Sequence, residues 1–180
     1  FPHHTNEIAQ SEAYLGHKWC NYWFHILHLN TNSGKMSKSK GEFLTVSLLE
    51  SKGYDPLVYR FFCLQSHYRK SLVFTYENLD NAKTAYNKLT ARIAQLMADK
   101  KPDEVVELED FEKFKGSFKA ALDDDINTSN AITVLYDVLK ADTNNETKLA
   151  LIEDFDKVLS LGLIEAAKKL SADGEEDIPE

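Results

Sequence analysis

Thr75-Tyr76-Glu77-Asn78-Leu79-Asp80-Asn81-Ala82-Lys83-Thr84-Ala85-Tyr86-Asn87-Lys88-Leu89-Thr90-Ala91-Arg92-Ile93-Ala94-Gln95-Leu96 decides how most of this chain folds. Leu79, Ala82, Tyr86, Leu89, Ile93 and Leu96 recur at spacings of three and four, so a helix gathers them into one apolar stripe. Thr75 can cap that helix, and Lys101-Pro102 ends it. Further along, Phe111, Phe114, Phe118 and Ala121 repeat the spacing. Asn127 or Thr128 can cap a helix bearing Ala131, Val134, Leu135 and Val138. Leu149, Ile152, Phe155 and Leu159 make a fourth stripe, and Gly162 can stop it. Successive amphipathic helices with short joins bury their stripes against each other, which predicts an antiparallel helical bundle over 75–165. These stripes read as core rather than as cofactor contacts. Residues 166–180 read as an acidic tail or linker, mobile from Ser171 onward.

Residues 1–74 are mixed in character. A short helix fits residues 6–15. Cys20 to Leu29 carries Tyr22, Trp23, Phe24, Ile26, Leu27 and Leu29 and reads as a buried strand of the parallel-sheet kind. Asn30 to Gly41 is polar and flanked by glycine, hence a loop. Thr45 caps a short helix to Lys52, which Gly53 ends, and Asp55-Pro56 opens another to about Ser66.

With 180 residues the chain suits one domain or two small ones. Its 43 % hydrophobic and 28 % charged residues are ordinary for a globular protein. No apolar run is long enough to span a membrane, so no membrane partner is expected. The chain opens on Phe1-Pro2-His3-His4, without Met, a basic region or an apolar stretch. No secretory signal is expected, and the opening fits a piece of a longer protein. Two distant cysteines, Cys20 and Cys63, imply free thiols and a cytoplasmic location. The net charge of −8 argues against a large nucleic-acid footprint but not against a local one.

Two constellations carry chemistry. If a helix starts near Pro2, His3 and Glu7 are four apart on one face and can reach one zinc ion. Two ligands do not close a site that wants about four, and a polar helix start with solvated histidines explains the pattern as well. Gly34-Lys35-Met36-Ser37-Lys38-Ser39-Lys40-Gly41 alternates lysine with small hydroxyl residues between glycines. Ammonium and hydroxyl groups there can meet phosphate oxygens. It is not a Walker A loop: Leu29 stands where the first glycine belongs, and Met36 follows the lysine.

Lys35-Met36-Ser37-Lys38-Ser39 is identical to the second signature of class I aminoacyl-tRNA synthetases. The run Phe1-Pro2-His3-His4-Thr5-Asn6-Glu7-Ile8-Ala9-Gln10-Ser11 resembles the zinc-binding segment of the cysteinyl-tRNA synthetases. Asn21-Tyr22-Trp23-Phe24-His25, His67-Tyr68-Arg69 and Asp123-Asp124-Asp125-Ile126-Asn127-Thr128 resemble later segments of that family, in order, over roughly residues 1–162. The chain departs from the family at Thr5 (usually Glu), Leu27 (usually Gly) and Glu42 (usually Asn). Glu42 puts a negative charge beside the phosphate-binding loop, which would weaken nucleotide binding.

The resemblance implies an α/β remnant of a Rossmann-like class I catalytic domain over 1–74, followed by the α-helical bundle, mostly α overall. By the same resemblance, the first half of the catalytic domain, with its other signature and two cysteine zinc ligands, would be missing from this stretch, as would the final anticodon-reading domain. The implied reaction joins cysteine to ATP, with Mg, as cysteinyl-adenylate, then passes the cysteinyl group to tRNA(Cys). Lys38 would be the main ATP contact and Lys35 its helper, with Ser37 and Ser39 beside them. His3 and Glu7 would be two of four zinc ligands, zinc preferring the substrate sulfur over a serine hydroxyl. Trp23 and His25 could line the site, but a buried strand explains them equally. The bundle would meet tRNA through a basic face of Lys83, Lys88 and Arg92. The parent would be monomeric, and the isolated chain inactive. Two alternatives stand beside this: a fragment of the paralogous ligase that joins cysteine to an amino sugar, or a non-catalytic helical tRNA-binding module.

Overall fold

The computed structural model describes residues 2–31, 34, 35 and 45–176. It is mostly helical, with a small three-stranded sheet. Helix α1 (Pro2–Leu15) starts at the proline, as an N1 proline allows, and buries none of its residues. Strand β1 (Leu29–Thr31) pairs antiparallel with β2 (Gly34–Lys35) and parallel with β3 (Leu72–Phe74), giving the order β2-β1-β3.

The sheet corrects two expectations. Of the Cys20–Leu29 stretch expected as strand only Leu29 is regular strand, β1 running on to Thr31, and Tyr22, Phe24, Ile26 and Leu27 are exposed. A strand buried on both faces needs neighbours along its whole length. Among the described residues, only the short β2 and β3 pair with this one. The polar stretch after Asn30 is not wholly loop either, because Gly34 and Lys35 turn back onto β1.

Helix α2 (Val46–Ser51) is capped by Thr45, whose hydroxyl accepts from the Leu48 N–H. Gly53 follows at φ +80, a conformation that favours glycine. Helix α3 (Pro56–Leu64) opens on Asp55, whose carboxylate accepts from the Leu57 N–H. Its Val58, Phe61 and Phe62 are buried.

Helix α4 (Tyr76–Ala98) has its Thr75 cap and buries Leu79, Ala82, Tyr86, Leu89 and Ile93, while Leu96 packs half-buried at the edge. The stripe closes on α8 (Leu163–Glu176), on α7 (Asn145–Leu159) and on α3. Helix α5 (Leu108–Asp123) packs on α6 (Thr128–Lys140) and α7. Phe118 of α5 stacks on Phe155 of α7 with ring centroids 4.0 Å apart and planes 6° apart. Tyr86 donates its hydroxyl to the Leu161 carbonyl oxygen at 2.7 Å, and burial pushes its pKa up to about 12.

The α7–α8 turn is tied by one carboxylate. Asp156 accepts from the N–H groups of Leu161 (2.6 Å) and Leu163 (2.9 Å). Helix α7 ends at Leu159 with Ser160, two residues before the glycine expected to stop it, as its left-handed cap at φ 51, and Gly162 turns the chain into α8 at φ +64. A Cβ on Gly162 would lie 3.1 Å from Leu57 Cδ1, so this turn also sets how closely α3 approaches. The stretch expected as a tail from residue 166 is instead helical through Glu176. Leu163 and Ala167, four apart, are both fully buried and hold α8 on the bundle.

Candidate functional site

His3 and Glu7 share one face of α1, as expected, and both are exposed. Among the described residues no group of three or more His, Cys, Asp and Glu side chains is placed to hold a metal ion. Two donors on one helix do not close a tetrahedral zinc site. The neighbouring His4 does have company. Its ring stacks on Trp23 at 4.2 Å between centroids and meets His25 at 4.6 Å. Desolvation first, then the nearby His25, lowers the His4 pKa. Trp19 meets Trp23 edge-on at 5.8 Å. Trp23 and His25 therefore meet His4 of α1 rather than lining a sheet interior.

Of the lysine-rich stretch, Gly34 and Lys35 lie in the sheet. Lys35 lies opposite Asn30 and Gly34 opposite Thr31 in the β1–β2 ladder. Asn30 in turn donates its side-chain amide to Ser71 Oγ at 2.8 Å, one residue before β3. Ser37, Lys38, Ser39 and Glu42 lie outside the described residues.

Beside this sheet a cavity of about 450 Å³ opens among Phe24, Ile26, Leu29, Tyr59 and Cys63, with Ile126 and Thr128 closing its far side. That far side belongs to the turn between α5 and α6. There the structure joins two motifs that stand far apart in sequence. Tyr68 donates to Asp125 Oδ1 at 2.5 Å, and Arg69 Nε donates to Asp125 Oδ2 at 2.7 Å and to the Tyr68 hydroxyl oxygen at 2.9 Å. His67 Nε2 stands 3.8 Å from the same carboxylate. The Tyr68 hydroxyl and then the Arg69 guanidinium hold the Asp125 carboxyl below its usual range, against a desolvation that opposes them. Asp125 and Ile126 both have positive φ, 55 and 54, an uncommon conformation for a non-glycine and rarer still for a β-branched residue. No local sequence signal announces this network, because its members lie more than fifty residues apart.

The expected basic face divides in two. Lys88 and Arg92, four apart on α4, line a groove of about 650 Å³ against α6, together with Tyr136 and Lys140. Arg92 also donates to the Leu139 carbonyl oxygen at 2.9 Å. Lys83 is elsewhere: its ammonium lies 5.3 Å from the Tyr54 ring centroid and reaches the Gly53 carbonyl oxygen at 3.5 Å. Residues 83 and 88 are five apart, so they cannot share a helix face.

Comparison with known proteins bears on both halves. Residues 1–84 match the model of the class I (C) tRNA synthetase catalytic domain, and residues 117–163 match the DALR domain. Cysteine–tRNA ligase 1 of Burkholderia lata is 40 % identical over 165 residues, covering 91 % of this chain and 33 % of the relative. Cysteine–tRNA ligase of Novosphingobium aromaticivorans is 40 % identical over 179 residues, covering 93 % and 36 %. By both matches and by these relatives, the chain is similar to the cysteinyl-tRNA synthetases. Cysteine–tRNA ligase of Bacillus thuringiensis is 45 % identical over 145 residues, covering 77 % of this chain and 31 % of the relative. The chain thus spans about a third of the length of these family members. The family's catalytic-domain match runs past β3 into α4, and its DALR match takes in the α5–α6 turn with Asp125.

Proposed function

We propose that this chain is the part of an ATP-dependent cysteine–tRNA ligase that carries the signature lysines and the helical domain that meets tRNA(Cys). Residues 1–74 are the remnant of a Rossmann-like catalytic domain in this reading. The observation that carries it is the sequence Lys35-Met36-Ser37-Lys38-Ser39, whose Lys35 pairs in the β1–β2 ladder, in a chain that matches the class I (C) catalytic domain and the DALR domain in order. A cysteine carboxylate oxygen attacks the α-phosphorus of ATP, and the bond to the departing pyrophosphate breaks. Negative charge gathers on that pyrophosphate, and cations placed beside it lower the barrier. Lys38 and Lys35 supply those cations, and Ser37 and Ser39 donate hydrogen bonds to the same oxygens. The cysteinyl group then passes to a terminal ribose hydroxyl of the tRNA, releasing AMP.

His3 and Glu7 offer an imidazole nitrogen and a carboxylate oxygen to a zinc ion whose remaining donors are not among the described residues. Such an ion supplies a preference for a thiolate over a hydroxyl, which a pocket matched only in shape cannot achieve for cysteine against serine. The groove lined by Lys88, Arg92, Tyr136 and Lys140 is the local cationic surface on which an acidic bundle can meet a tRNA backbone.

The test is exchange of labelled pyrophosphate into ATP by the product of the complete reading frame. Exchange that requires cysteine and ignores serine is expected. Lys38→Ala should lower its turnover about a hundredfold, as loss of one preorganised charge contact does, while KM for ATP moves less. An intact protein that gives no cysteine-dependent exchange would refute the reading.

A further inference from the structure

We propose that Asp125 is a positioning residue: from the helical domain it holds the His67-Tyr68-Arg69 segment, and through that segment it fixes the β1–β2 ladder that carries Lys35. This role rests on the function proposed above, since it concerns the placement of Lys35 and the residues that follow it.

A continuous set of contacts leads from Asp125 to Lys35. Tyr68 and Arg69 both bind the Asp125 carboxylate. The Tyr68 carbonyl oxygen accepts from the Leu27 N–H at 3.0 Å, and the Tyr68 ring lies 4.3 Å from that of Phe24. Tyr68 therefore grips the segment entering β1 by backbone and by ring. Two residues beyond Arg69, Ser71 accepts from the Asn30 amide, and Leu72–Phe74 then pairs in register with Leu29–Thr31. Asn30 is the ladder partner of Lys35. Every link joins neighbours directly, so displacing Tyr68 and Arg69 displaces the ladder that carries Lys35.

The geometry at Asp125 fits positioning better than simple stabilisation. Ion pairs this exposed contribute little to folding. Two consecutive non-glycine residues at positive φ are costly, and such a turn persists only where its surroundings over-determine it. Here the turn is fixed by backbone bonds from Ile126 N to Leu122 O and from Asn127 N to Ala121 O, and by the Asn127 cap of α6. The result is a rigid elbow that presents one carboxylate outward. Tyr68 can donate one bond and Arg69 two or more in a fixed fork, so the carboxylate sets both the distance and the direction of approach.

The experiment compares Asp125→Asn, Asp125→Glu, Tyr68→Phe and Arg69→Gln in the product of the complete reading frame. Cysteine-dependent pyrophosphate exchange, KM for tRNA and the thermal midpoint are read on each. Asp125→Asn is expected to lower exchange turnover about tenfold or more, because small misplacements of reacting groups are expensive, with KM for tRNA nearly unchanged. Asp125→Glu should recover part of that loss. Arg69→Gln combined with Asp125→Asn should be no worse than Asp125→Asn alone, since both break one connection. Exchange turnover within about twofold of wild type would overturn the role, given how strongly misplacement acts on rate. So would a parallel fall of turnover, tRNA affinity and thermal midpoint with no rescue by glutamate. Should Asp125→Asn fail to fold, Tyr68→Phe and Arg69→Gln, the latter at an exposed side chain, carry the same comparison. Only a wild-type enzyme silent in exchange would refute the proposed function, and the role with it.

Discussion

Arg60 Nε donates to the carbonyl oxygen of Leu159 across 2.7 Å. The bond ties α3 to the last residue of α7, nearly one hundred positions away in sequence. The final carbonyls of a helix lack intrahelical partners and carry the negative end of its dipole, so a guanidinium there satisfies both needs. Arg60→Ala should lower the stability of the protein by about 1–2 kcal/mol, since a charge-assisted bond and some stem packing are lost. The shift in urea midpoint measures it. Arg60→Lys should recover less than half, because the lysine ammonium sits one bond farther along the chain than Nε and must fold back to reach the same oxygen. An unchanged midpoint for Arg60→Ala would mean that the two helices are joined by packing alone.

Thr147 offers a second test, in the interior. It is fully buried, its hydroxyl oxygen accepts from the Glu107 N–H at 2.8 Å, and it donates to Asn144 Oδ1 at 2.8 Å. The same Asn144 oxygen caps α7 through the Thr147 N–H, and its amide reaches the Val105 carbonyl oxygen. One hydroxyl thus joins the cap of α7 to the chain entering α5. Thr147→Val keeps the shape but leaves the Glu107 N–H without its partner. The expected cost is about 1–3 kcal/mol, the desolvation penalty of an orphaned polar group. Equilibrium unfolding in denaturant reads it, and Thr147→Ser should lose less than Thr147→Val.

What the sequence disclosed follows from the range of its interactions. The α4 stripe and the caps Thr45, Asp55, Thr75 and Asn127 were legible because helix periodicity and capping act over three or four residues. The Cys20–Leu29 stretch misled because aromatic, apolar composition specifies burial only when a partner surface is there to receive it. The helix α8 was hidden by its charged residues, although Leu163 and Ala167 are enough to seat it. At the site, the shared face of His3 and Glu7 was readable, since it needs only α1. The Tyr68–Arg69–Asp125 network was not. It depends on the fold bringing a loop before β3 to the elbow after α5, and no local pattern encodes that meeting.

The same network predicts a pH dependence. The Asp125 carboxyl sits below its ordinary value of 3.8, chiefly because the Tyr68 hydroxyl donates to it, with Arg69 adding to the effect. Arg69 moves the complementary way, its pKa raised by Tyr68 and then by Asp125. A carboxyl whose folded pKa is depressed favours the charged form in the fold. Its contribution is complete above the ordinary value and disappears as the pH falls through the folded one. The difference in thermal midpoint between wild type and Asp125→Asn should therefore be flat from about pH 8 to about pH 5 and should shrink only below the ordinary carboxylate range. Asparagine can accept from Tyr68 but carries no charge for Arg69, so the difference isolates the ionic part of the network. Added salt should narrow it, because these groups are exposed and screened by ions. A difference that changed between about pH 8 and pH 5 would show that the charge of Asp125 is not what the network's stability depends on.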